Sequence, residues 1–128
     1  MLRENSHIRH IKGEPKRRWF SDDFFDLVVW IDERDEISGF QLSYDRSHNQ
    51  RALTWHTESG FTHDRIDDGE GKPGKMKATP ILIPDSYFNY TEVGRRFKKH
   101  GTHIEKRISA FVYKKIMQYR FVKHGSES

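Results

Sequence analysis

Residues 24–56 read FFDLVVWIDERDEISGFQLSYDRSHNQRALTWH. Three apolar-rich runs are separated by two polar turns, the pattern of an antiparallel meander. In the first run, Phe25, Leu27, Val29 and Ile31 fall on one face, and Phe24, Asp26, Val28 and Trp30 on the other. Both faces are largely apolar, which predicts a central strand covered on both sides. The second run, residues 37–44, alternates most cleanly, setting Phe40, Leu42 and Tyr44 against Gly39, Gln41 and Ser43. That period of two is the strongest strand signal in the chain. The third run, residues 51–56, sets Leu53 and Trp55 against Ala52, Thr54 and His56. Residues 32–36 and 45–49 are the turns.

Downstream, residues 61–66 alternate poorly and are expected to form an edge strand. Residues 67–76 (DDGEGKPGKM) read as a loop, with three glycines and a proline. The run TPILIP at 79–84 has a proline near each end and suits an edge strand, because proline cannot donate to a ladder. The last third reads as helical. A short helix is expected over 91–99, with Val93 and Phe97 four apart and Gly101 as its stop. Thr102 and Glu105 then fit a capping box. The helix that follows carries Ile104, Ile108, Phe111, Val112, Ile116 and Tyr119 on one stripe. Lys115 falls within that stripe and is expected to snorkel from its edge. A narrower stripe of Ala110, Tyr113 and Met117 suits a homodimer contact or partly exposed surface.

Upstream, residues 1–18 hold few apolar side chains, plus Gly13 and Pro15, and read as a basic mobile arm. The expected layout is a single domain over 1–128: the arm at 1–18, a sheet over 19–84, helices over 85–123 and a tail at 124–128. This is an α+β fold, a four- or five-stranded antiparallel meander packed by C-terminal helices.

The hydrophobic fraction is 34% and the charged fraction 33%, which is polar for a domain of 128 residues. Net charge is +4, unevenly spread: +4 over residues 1–20, −7 over 21–85 and +7 over 86–128. An acidic sheet facing basic helices explains that layout, and so does a basic surface for an acidic partner. With no cysteine, disulfides, thiolate metal sites and a cysteine nucleophile are excluded. The first seven residues contain no apolar h-region, and no run approaches the ~20 apolar residues of a membrane span. The expectation is a soluble, cytoplasmic protein with no membrane partner.

Three residue groups are candidates for chemistry. Residues 69–75 match G-x-x-x-x-G-K, but Met76 stands where a nucleotide-binding loop needs Ser or Thr, and Asp67, Asp68 and Glu70 would repel phosphate. His56, His63, Asp64, Asp67 and Asp68 are potential ligands for a divalent metal if the hairpin brings them together. Arg95, Arg96, Lys98, Lys99, Lys106, Arg107 and Lys114 form a basic helical face able to contact phosphates. His100 and His103 flank the helix junction, where His100 complements the helix dipole. No pattern defines a catalytic centre, and no cofactor is evident. The expected function is a partner-binding or self-associating module. The alternatives are a nucleic-acid-associated protein using the basic arm and helix, and a small metal-dependent enzyme.

Overall fold

A computed structural model describes residues 1–5, 13, 16–45, 48–67, 81–84 and 88–119. These residues form one antiparallel sheet with two helices, an α+β fold. The strands are β1 (Arg3–Asn5), β2 (Lys16–Ser21), β3 (Phe25–Ile31), β4 (Ile37–Tyr44), β5 (Arg51–His56), β6 (Gly60–Asp67) and β7 (Ile81–Pro84). They pair strictly in chain order, so every connection joins neighbours. The helices are α1 (Tyr90–His100) and α2 (Lys106–Gln118), joined through a 3-10 turn at Gly101–His103. Among the described residues, no helix is long and apolar enough to cross a membrane.

The sheet has seven strands rather than four or five, because both ends of the meander extend. Within the expected arm, Arg3–Asn5 form a sheet strand: β1 pairs with β2, and the neighbouring Leu2 is fully buried, while residues 6–12 and 14–15 lie outside the described residues. At the other end, β7 pairs outside β6, so β6 is an interior strand and not the edge. The glycine-rich loop lies outside the described residues except for Asp67, as does the tail.

Alternation along β3 decides which face is core. Phe25, Leu27, Val29 and Ile31 are buried, while Asp26, Val28 and Trp30 are only half-buried. Cross-strand register carries the buried face to Phe20, Phe40, Leu42, Tyr44 and Leu53. The helices close over it with Val93, Phe97, Ile108, Val112 and Ile116. Each such side chain contributes about 1.5–3 kcal/mol on burial. On the opposite face, Trp19 and Asp26 are hydrogen-bonded side chain to side chain, and Gln41 donates to Thr54 at 3.1 Å. Among the described residues, the helices cover only the first face.

Glycine makes one close approach on that second face. Gly39 pairs with Trp30 on one side and His56 on the other. Having no side chain, it lets the Trp30 and His56 rings meet across it at 5.0 Å. The same strand is bulged at Ser38, where register shifts between Trp30 and Ile31.

The helix hairpin differs from expectation at its junction. No capping box forms. Thr102 Oγ1 donates back to the Lys99 carbonyl, and Glu105 itself stands at the α2 N-cap without a side-chain cap bond. Its carboxylate instead accepts from Arg18 (2.8 Å) and Arg107 (3.1 Å). α1 and α2 run in opposite directions, with Gly94 against Met117 and Gly101 against Ser109. Tyr113 and Met117 therefore pack at the α1 seam, and Ala110 stays exposed. Lys115 does lie at the edge of the core stripe, its Nζ 4.1 Å from the Trp55 ring centre. Burial lowers its pKa.

Candidate functional site

One end of the sheet and the first half of α1 enclose a cleft of about 530 Å³. It lies where β3 begins and β4 ends. Its lining combines two aromatic rings, Phe24 and Tyr44, with the ionisable side chains of Asp45, His48, Arg51, Glu92 and Arg96. Asn89 and Val93 complete the α1 wall. A concave site of this size, with a few convergent polar groups, is typical of small-ligand pockets.

Local sequence positions each wall. Asp22 closes the turn before β3 by accepting the backbone N–H groups of Phe24 (2.8 Å) and Phe25 (2.7 Å). The Phe24 ring then faces Arg96, whose guanidinium carbon lies 4.6 Å from the ring centre, within cation–π range. Asn89 is the α1 N-cap: its Oδ1 accepts from the Glu92 N–H at 3.2 Å. That cap fixes the first turn, so Glu92, Val93 and Arg96 reach the cleft from one helix face. Arg95 (2.7 Å) and Arg96 (2.9 Å) donate to the Glu92 carboxylate. Arg95 first, and Arg96 after it, pull the Glu92 pKa down to about 2.

The opposite wall comes from the β4–β5 connection. Asp45 adopts a left-handed φ of 58° and turns the chain out of β4, and His48 Nδ1 lies 3.4 Å from its carboxylate. Arg51 stands opposite Tyr44 in the ladder, on the face that carries the helices. Tyr44 reaches across to β6, where its hydroxyl is 2.6 Å from His63 Nε2. The two rings stack at 5.9 Å. His63 is buried beside Phe88 and Tyr119, so it acts behind Tyr44 rather than in the cleft.

Charges of both signs meet in this lining: Arg51 and Arg96 stand with Asp45 and Glu92, and the His48 imidazole lies beside Asp45. Arg95 adds a second guanidinium on Glu92. The amino end of α1 contributes a partial positive charge of its own.

Among the described residues, His56, His63 and Asp64 do not converge. His63 and Asp64 are adjacent on β6 and so point to opposite faces. His63 is with the helices, whereas His56 stacks on Trp30 on the other face. His56 and Asp64 share that face, but His56 pairs with Gly60, four residues short of Asp64, roughly 13 Å along the strand. Asp67 lies at the far end of β6, opposite Ile81. Asp68 is outside the described residues. Among the described residues, no group of three His, Asp or Glu side chains is placed to hold a metal.

The basic residues divide by role. Arg96 enters the cleft and Arg95 borders it. Arg107 is engaged by Glu105 and by the Asp35 carbonyl at 2.8 Å. Lys98 lies over the Tyr113 ring at 5.6 Å, and Lys99, Lys106 and Lys114 are exposed. His103 is exposed, while His100 binds Asp22 through Nδ1 at 2.7 Å. Of the cleft lining, only Arg96 belongs to a group the sequence singles out for chemistry. Tyr44, Arg51 and Asn89 become visible only through hairpin register and the N-cap.

No protein-family model matches the chain, and no curated protein or solved structure matches it either. The functional reading therefore rests on the geometry of the site.

Proposed function

We propose that the chain is a binding module whose ligand is a small organic anion seated in the end-of-sheet cleft. The observation that supports this most is the pairing of Arg51 and Arg96 with two aromatic rings in a cleft of about 530 Å³. The guanidiniums suit a carboxylate or phosphate, which arginine engages through two parallel hydrogen bonds. The Phe24 and Tyr44 rings suit a planar or apolar body beside that group. Asn89 holds α1 so that its amino end adds to the same field. The Tyr44–His63 bond fixes the phenol at the cleft wall before any ligand arrives, which limits the ordering cost of binding.

Calorimetric titration tests the reading with phenyl phosphate and benzoate as anionic probes and benzylamine as the cationic control. The anions are expected to bind saturably, and Arg51→Ala to weaken them by about tenfold to a hundredfold, the worth of a charged hydrogen bond. Equal binding of benzylamine, or anion binding indifferent to Arg51→Ala, would overturn it.

A further inference from the structure

The outer surface of the helix pair carries a second charged feature, separate from the cleft. Between residues 88 and 119 there are eight Lys and Arg but only two Glu. Both glutamates are already engaged: Glu92 by Arg95 and Arg96, and Glu105 by Arg18 and Arg107. Arg95, Lys98 and Lys99 are exposed on α1, and Lys106 and Lys114 on α2. Among the described residues, the four lysines form no ion pair with a carboxylate. We propose that this surface docks on the phosphate backbone of duplex nucleic acid, without reading bases.

Three observations select that occupant. The first is charge: two rows of cations with no unengaged acid between them complement a polyanion and little else. Spacing is the second. Lys106 and Lys114 are eight residues apart, about 12 Å along α2, and packed helices lie about 8–10 Å apart. This grid is on the scale of duplex grooves, about 6–12 Å wide. The third is the lack of apolar or stacking groups on the surface. The exposed large hydrophobic residues among those described are Met1 and Trp19, and neither is on α1 or α2. A helix that enters a lipid interface needs such groups, and so does a single-strand platform that stacks bases. Tyr113, the aromatic at the seam, is half-buried under Lys98.

Fluorescence anisotropy with a labelled duplex, over a salt series, tests the proposal on the full chain. If the four lysines neutralise about four phosphates, the log–log salt slope is about −3.6. Affinity then falls about a hundredfold between about 50 and 200 mM salt. The triple variant Lys99→Glu, Lys106→Glu, Lys114→Glu is expected to lose binding with an unchanged circular dichroism spectrum. Arg51→Ala, in the cleft, is expected to bind the duplex as the parent does. Should the triple variant fail to fold, single Lys→Ala changes provide the test, each reducing the slope by about 0.9. Binding that is absent at low salt, insensitive to salt, or unchanged by these substitutions would overturn the proposal. So would binding to phosphatidylserine vesicles without binding to the duplex, which would assign the surface to lipid.

Discussion

Asp22 and His100 stand 78 residues apart in the chain, yet the Asp22 carboxylate lies 2.7 Å from the His100 Nδ1. The contact ties the turn before β3 to the last residue of α1. It also buttresses the cleft wall, since the His100 ring packs against Phe24 and Phe25 at 6.0 and 5.2 Å. Asp22 is faced by, among others, the N–H donors of Phe24 and Phe25, the His100 ring and the Met1 amino group at 3.5 Å. Burial pushes the carboxyl up, but the Phe25 N–H, His100 and the Phe24 N–H together outweigh it, and the net shift is downward.

A depressed carboxyl stabilises the fold fully above its unfolded value near 3.8, and that contribution disappears as pH falls through the lower, folded value. Asp22→Ala is therefore expected to cost about 2–3 kcal/mol at neutral pH, the loss of hydrogen bonds to a charged carboxylate. The gap between variant and parent should narrow below pH 3.8. Urea denaturation at neutral and acid pH measures both.

Gly39→Ala tests the packing on the second sheet face. A Cβ there would stand 2.5 Å from His56 Nδ1 and 2.7 Å from the Trp55 carbonyl oxygen. Away from contacts, glycine to alanine in a strand gains stability by restricting the unfolded chain. Here overpacking decides the sign, and a loss of about 1–3 kcal/mol is expected. Adding His56→Ala should recover only part of it, because the carbonyl contact remains. Thermal unfolding of the single and double variants resolves the two shares.

Tyr44→Phe removes the hydroxyl that meets His63 at 2.6 Å while keeping the ring in the aromatic group. The expected cost is about 1–2 kcal/mol, larger than for an exposed pair because the bond is buried. Denaturant titration gives that number. A loss of anion affinity alongside it would show that the fixed phenol also shapes the cleft.

Arg18→Ala should matter less. Arg18 bridges Glu4 through two bonds of 2.7 and 2.8 Å and reaches Glu105 at 2.8 Å, linking β1, β2 and α2. The carboxylates are exposed, so a loss of at most about 1 kcal/mol is expected, shrinking in high salt. Arg18→Lys should not restore it, because an ammonium cannot form the two parallel bonds.

Much of the fold follows from periodicity. Phe40, Leu42 and Tyr44 alternate with polar partners, and Ile108, Val112 and Ile116 recur at helical spacing, so β4 and α2 are legible without coordinates. The ends of the sheet are not. Leu2 is one apolar residue in a basic stretch, and its burial depends on β2 offering a partner edge. The β6 position depends on where residues 81–84 return, which no local pattern specifies. The Thr102–Glu105 box does not form because Thr102 lies in the 3-10 turn and α2 begins only after Glu105, whose carboxylate goes to Arg18 and Arg107. The cleft was harder still. Arg51 and Tyr44 meet through hairpin register, and Glu92 through the Asn89 cap. The sequence N-x-x-E at 89–92 is a helix-start signal, and read with the β4–β5 register it marks where the site lies. Within the histidine–aspartate cluster, adjacent strand residues point to opposite faces, so His63 and Asp64 separate however close they are in the chain.

If the cleft at the end of the sheet is the ligand site, an anionic probe must bind there. Titrating ¹⁵N-labelled protein with phenyl phosphate, and following backbone amide signals, tests it most directly. The signals of Phe24, Arg51, Val93 and Arg96 should move together along one saturable curve, and those of Phe24, Val93 and Arg96 should stay in place in Arg51→Ala. Signals that move only on the outer rows of α1 and α2, or none that move at millimolar probe, would contradict it.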